Sequence, residues 1–228
     1  EIAKYKNLQL SKKVSLNSLY GALGSKYFRF FDLRNAIAIT TTSQLSIRWI
    51  EGELNKYLNK ILKSEKDYVI AVDTDSVYLR LNGLVESVMG KSPETTKAIA
   101  FMDKACETKI QPIIDKACRD IGEYTNVYQQ KIAMKREVLA DKGIWIAKKN
   151  YVLNVHNSEG VQYATPKLKV LGLAMVRSST PSVIREELKK SVRVILEGDE
   201  KVTQKYIANY KSDFQKFPVE AIAFSRGA

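Results

Sequence analysis

"YVIAVDTDSVYLRL", residues 68–81, decides how the chain is read: a mostly apolar run, two aspartates one residue apart, then a second apolar-rich run, with no glycine at the bend. Tight hairpins normally recruit Asn-Gly or Asp-Gly, because their central residues need positive φ. The stretch therefore reads as a buried hairpin whose apex was chosen for something other than turn chemistry. Asp73 and Asp75 repel each other, and a bound divalent cation removes that penalty. Oxygen-only ligands suit Mg²⁺ or Mn²⁺, and the lack of nearby histidine or cysteine disfavours zinc. Taken alone, the pair is explained equally well by a solvated turn whose aspartates bond nearby amides. An EF-hand calcium loop fails, because Val77 and Tyr78 stand where it needs an oxygen ligand and a glycine. A nucleotide-sugar glycosyltransferase, with an Asp-x-Asp site ending a buried strand, is a further rival.

The rest of the chain narrows the choice. Its 228 residues are 45% hydrophobic, enough for a real core, and 37 basic residues against 25 acidic ones leave a net charge of +12. A surplus of that size points to a polyanionic partner, nucleic acid first. The longest charge-free stretches, such as "NAIAITTTSQLSI", fall short of the roughly 18 apolar residues of a membrane span, so no membrane partner is expected. Residues 1–10 carry no secretion signal, and the expected location is the cytoplasm. Cys106 and Cys118 sit in a helical pattern with no CxxC, which makes them packing residues. His156, the single histidine, lies in "NVHNSEG", which reads as a solvated turn.

Helical spacing is expected from residue 2 to 24 and from Arg34 to Lys63, with Asp32 as an N-cap. It returns between Pro93 and Tyr124, where Pro112 should break or kink it. From Tyr128 to Val170, "KIAMKREVLA", "GIWIAKKNYVLNV" and "VQYATPKLKVL" read as antiparallel strands beside the 68–81 hairpin. Thr180 as N-cap, Pro181 as first helical residue and Gly198 as stop frame the next helix, and a polar helix from Asp199 to about Phe217 completes the tail. The fold class is α+β, an antiparallel sheet between helical regions.

Within the first helix, Lys13, Asn17, Tyr20 and Gly24 are spaced four, three and four apart and share a face. Leu16, Leu19 and Leu23 form a separate apolar stripe by which the helix can dock. A lysine, an amide and a phenol in a row suit a triphosphate and then a base or sugar, although such a pattern alone is more often a solvated face.

"KVSLNSLYG", residues 13–21, resembles the KxxxNSxYG motif of family B DNA polymerases, and "VDTDSVY", residues 72–78, resembles their palm motif YGDTDS. "AKKNY", residues 147–151, is similar to their KKRY element, with Asn150 in place of arginine. The three occur in the family's order, and "FFDLRNAIAIT" and "KLKVLGLAMVRSSTP" look most like the T-even phage branch. The resemblance implies an antiparallel palm sheet flanked by helices, with part of the fingers helix and a helical thumb base. Its boundaries would be 1–25 for the C-terminal arm of the fingers, 26–172 for the palm and 173–228 for an incomplete thumb. It implies DNA-directed DNA polymerase chemistry, with Asp73 and Asp75 holding two Mg²⁺ ions.

By the same resemblance, Lys13 would neutralise the triphosphate of a bound dNTP and assist the leaving group. Asn17 would reach a phosphate oxygen, and Tyr20 would lie under the nascent base pair, with Gly21 leaving room for the template base. Thr74 and Ser76 would order the turn. Lys148, Lys149 and Tyr151 would contact primer-template DNA. Glu137 falls where the family often has a further acid, with Lys135 where T-even relatives have an aspartate, and Lys167 and Lys169 read as solvated edge lysines. The family's DxxSLYPS motif, which brings another metal-binding aspartate, does not occur in this sequence. The chain is therefore expected to be a C-terminal piece, inactive until an N-terminal polymerase part supplies that aspartate and the exonuclease. A sliding clamp is a further partner of such an enzyme. The alternative, a non-catalytic primer-template binding module, stays open.

Overall fold

Asp32 starts a 30-residue helix, α2 (Leu33–Leu62), in the way its position predicts: its carboxylate accepts the Arg34 N–H at 2.9 Å. These features come from a computed structural model that describes residues 2–224. Lys63 ends α2 in the left-handed conformation, φ 47°, and Ile47, Ile50, Leu54 and Leu58 are buried along one stripe. The preceding helix, α1 (Ile2–Leu23), has no buried residue, and Leu16 and Leu19, expected to dock it, are exposed. Its apolar residues are distributed around the helix and leave no stripe wide enough to bury. Its C-terminal end approaches the start of α2, where a Cβ on Gly24 would meet the buried Ala36 at 4.0 Å.

The chain forms two compact units, one from residues up to 80 with 113–133, the other from 81–112 with 134 onward. The first holds α1, α2 and the antiparallel hairpin β1 (Val69–Asp73) and β2 (Ser76–Leu79). The hairpin is less buried than its sequence suggests: Ile70 and Val72 point outward, 46% and 39% exposed. Within the second unit lie α3 (Asn82–Met89), a helix the sequence reading missed, and α4 (Thr95–Ala105). The helical path continues through a π turn (Cys106–Ile110) into α5 (Gln111–Tyr124), which carries the chain back to the first unit. Pro112 therefore does not end the helix. The widened turn just before it absorbs the missing N–H and the ring clash. In the first unit the α5 ring of Tyr124 packs 5.4 Å from Trp49 of α2. Both cysteines are buried free thiols, as expected, and burial pushes Cys106 up to about 11.

The second unit's sheet is β3 (Val138–Ala147), β4 (Asn150–Ser158) and β5 (Val161–Leu171), antiparallel in that order. The expectation that these strands lie beside the 68–81 hairpin is corrected: among the described residues the hairpin strands pair with each other. Residues 131–137, expected as strand, lie outside the ladder, because side chains satisfy that backbone instead. Gln111 donates to the Met134 carbonyl at 2.8 Å, and the Gln130 amide both accepts the Ile132 N–H and donates to its carbonyl. Arg136 donates to Asn157 Oδ1 at 2.8 Å and pairs with Asp103 of α4, tying that helix to β4. His156 is a β4 residue rather than a solvated turn, its side chain 14% exposed and Nε2 3.2 Å from Asp141 Oδ1. The turn itself is Glu159-Gly160, at φ 50° and 86°.

Beyond the sheet, α6 (Ser182–Glu197) begins one residue later than expected. Pro181 is its extended cap, while Thr180 is buried with its N–H turned to the Arg177 carbonyl, which corrects its assignment as N-cap. Gly198 stops the helix as predicted, donating to the Val194 carbonyl at 2.8 Å. Asp199 then caps α7 (Glu200–Phe214), and a short α8 (Val219–Ile222) follows. Among the described residues no helix is long and apolar enough to cross a membrane.

Candidate functional site

Two asparagines on α2 fix where the acidic hairpin starts. Asn55 accepts the Tyr68 N–H at 2.9 Å and donates to Asp67 Oδ1 at 2.8 Å. Asn59 accepts from the Lys66 N–H and the Ser64 hydroxyl and donates to the Lys66 carbonyl. Tyr68 is buried, and its hydroxyl lies 2.6 Å from Ser64 Oγ. The sequence reading passed over Asn55 and Asn59. The signal for them is two amides four residues apart on one face, flanking the Ile47, Ile50, Leu54 and Leu58 stripe.

From that base the register carries β1 to its end, with Asp73 opposite Ser76 and Thr74-Asp75 as the two central residues. Thr74 takes φ 42°, an uncommon conformation for a β-branched residue. Hydrogen bonds around Asp73 hold it there. The Thr74 hydroxyl donates to Asp73 Oδ1 at 3.1 Å, the Ser76 hydroxyl donates to the Asp73 carbonyl at 3.1 Å, and the Asp75 N–H bonds the same carbonyl. Asp73 is half-buried and Asp75 is exposed at the apex. The donors are hard carboxylate oxygens, which fit a divalent cation of the Mg²⁺ type. Among the described residues no group of three or more His, Cys, Asp or Glu side chains is placed to hold a metal ion.

Lys13, Asn17 and Tyr20 are all exposed on α1, and a Cβ at Gly21 would meet nothing within 4 Å. In the second unit, Ala147 pairs with Asn150, which makes Lys148-Lys149 the two-residue turn of β3–β4. Both lysines are exposed, Lys149 at φ 60°, and the Asn150 amide donates to the Lys148 carbonyl at 3.1 Å. Tyr151, expected beside them as a DNA contact, is buried, its ring 6.2 Å from that of Trp145. Glu137 pairs with Lys169 at 2.5 Å, and Lys167 lies over the Tyr163 ring at 4.2 Å. These two strand lysines therefore have local partners.

The pattern that defines DNA polymerase family B matches residues 1–222. The chain belongs to DNA polymerase family B. Within it, the chain is 39% identical to a DNA-directed DNA polymerase of Enterobacteria phage T4, over 94% of this chain and 25% of that protein. It is 41% identical to a DNA-directed DNA polymerase of Escherichia phage RB69, over 84% of this chain and 22% of that protein. The chain thus spans about a quarter of the length of these relatives.

Proposed function

We propose that the chain is the palm and thumb base, with the C-terminal arm of the fingers, of a DNA-directed DNA polymerase that extends a primer 3′-hydroxyl under template direction. The fingers arm is residues 1–25, the palm 26–172 and the thumb begins at 173. The observation that carries this reading is the β1–β2 apex, where two carboxylates stand one residue apart on a turn that forgoes glycine. The net charge of +12 supports it, as do the two polymerases that the chain resembles. Asp73 and Asp75 would hold Mg²⁺, which when bound supplies Lewis acidity to the primer hydroxyl and the leaving pyrophosphate. Lys13 would offset triphosphate charge and protonate the leaving group, and Asn17 would bond a phosphate oxygen. Tyr20 would lie under the nascent base pair, with open space at Gly21 for the template base. Lys148 and Lys149 would meet duplex phosphates without regard to sequence. A further carboxylate would come from an N-terminal part that also carries the exonuclease. A sliding clamp is the remaining partner, and the cytoplasm of the host cell the place of action.

Combining the chain with that N-terminal part is expected to give Mg²⁺-dependent extension of a primed template, and Asp75→Ala should abolish it. Salt-sensitive primer-template binding with no extension, unchanged by Asp75→Ala in a properly assembled mixture, would replace this reading with that of a binding module.

A further inference from the structure

Gly172 stands one residue beyond β5 at φ 72°, with its backbone pressed against the lysine turn. A Cβ built on it would overlap the Lys149 carbonyl oxygen and Asn150 Oδ1, and would lie 3.0 Å from Asn150 Cγ. These are the groups that shape the turn, since the Asn150 amide donates to the Lys148 carbonyl. The ladder sets the approach, pairing Leu171 with Tyr151. The Gly172 carbonyl in turn accepts from Arg177 Nη2 at 3.0 Å.

We propose that Gly172 is a positioning residue for the primer-template interface: its bare backbone is the floor on which the Lys148-Lys149 turn rests, and Arg177 latches that floor in place. Two exposed lysines on an unsupported turn would spread over many rotamers and backbone states. A fixed turn presents both ammonium groups to adjacent phosphates with less ordering left to do on binding. No side chain can substitute, because the close approach leaves no volume for a Cβ and φ lies in the region that favours glycine. The inference rests on the reading of Lys148 and Lys149 as duplex contacts.

The test is primer-template affinity of the full polymerase between about 50 and about 200 mM salt, with melting temperature measured alongside. Replacing both lysines by alanine should lower the slope of log affinity against log salt by about 2. Gly172→Ala should weaken binding about tenfold and lower the slope by about 1, with no further loss in the lysine-free background. Gly143→Ala is the structural control: its Cβ would lie 2.7 Å from the Trp145 ring and Leu153 in the same sheet, so it should lower the melting temperature and leave the slope unchanged. Should Gly172→Ala fail to fold, Arg177→Ala removes the latch without a clash and is expected to weaken binding about threefold, again only while the lysines are present. An unchanged slope in the Gly172 or Arg177 variant, or equal weakening with the lysines absent, overturns the positioning role alone. A lysine-free variant that keeps the wild-type slope overturns the duplex-contact reading as well.

Discussion

The β1–β2 and β3–β4 hairpins both close with two-residue turns that contain no glycine, and each holds one other residue in the left-handed region, Thr74 at φ 42° and Lys149 at φ 60°. They are braced differently. At the acidic turn the support at the apex is internal, since the Thr74 and Ser76 hydroxyls both bond Asp73, while Asn55 of α2 holds the base of the strand at Tyr68. At the basic turn the Asn150 amide bonds the Lys148 carbonyl from within, and a distant segment adds the rest, through Gly172 against Lys149 and Asn150. The difference follows from the side chains themselves. The Asp73 carboxylate accepts from the Thr74 hydroxyl and its carbonyl from Ser76, whereas a lysine side chain only donates and offers neighbouring hydroxyls no acceptor.

Four substitutions probe that contrast. Asp75→Asn keeps the acidic turn's shape but removes a charge, so primer extension by the assembled polymerase should fall by roughly 1,000-fold or more with little change in melting temperature. A loss of only tenfold would deprive the acidic turn of its chemistry and leave the contrast purely architectural. Asn55→Leu leaves the buried Tyr68 N–H without its acceptor, and urea unfolding should show a loss of about 2–3 kcal/mol. A loss below about 0.5 kcal/mol would mean that the acidic hairpin is not anchored at its base. Asn150→Ala removes the amide that bridges to the Lys148 carbonyl, and a loss of about 1 kcal/mol is expected in the same measurement. Thr74→Asn keeps a polar side chain where the backbone is left-handed and should raise stability by about 0.5 kcal/mol. If it destabilises instead, the Thr74 hydroxyl bond outweighs the backbone strain.

What could be read in the sequence was what neighbours decide. Asp32 and Gly198 are set by residues within one helical turn and the apex of the 68–81 hairpin by one strand pair, and all three fall where the spacing puts them. Asp73 and Asp75 stand out as candidates because they flank one turn, whereas Lys148 and Lys149 read as the middle of a single strand and stand out only by the likeness of "AKKNY" to a family motif; the turn that they form is a finding of the structure. Their supports were not visible, because the Asn55 bond to Tyr68 spans 13 residues and the Gly172 approach to Lys149 is longer still. The polar composition around His156 reads as a turn, but the segment is strand. "NVHNS" is strand, and its Asn157 is buried because Arg136 and the Gly160 N–H both reach its side-chain oxygen. The exposure of Leu16 and Leu19 was equally illegible, since whether an apolar residue is covered depends on which surface meets it.

The interleaving of the two units governs the order in which the protein can be completed during synthesis. The chain passes between units after residues 80, 112 and 133, so neither is a continuous stretch. A nascent chain that has just finished the acidic hairpin still lacks the α5 residues Ile114, Ala117, Cys118 and Ile121, which are buried in the finished fold. It must make α3, α4 and the π turn before those residues emerge. The turn that carries Asp73 and Asp75 therefore leaves the ribosome before the α5 residues that complete its unit. A break in the chain at residue 80 would leave one unit whole and the other without residues 113–133.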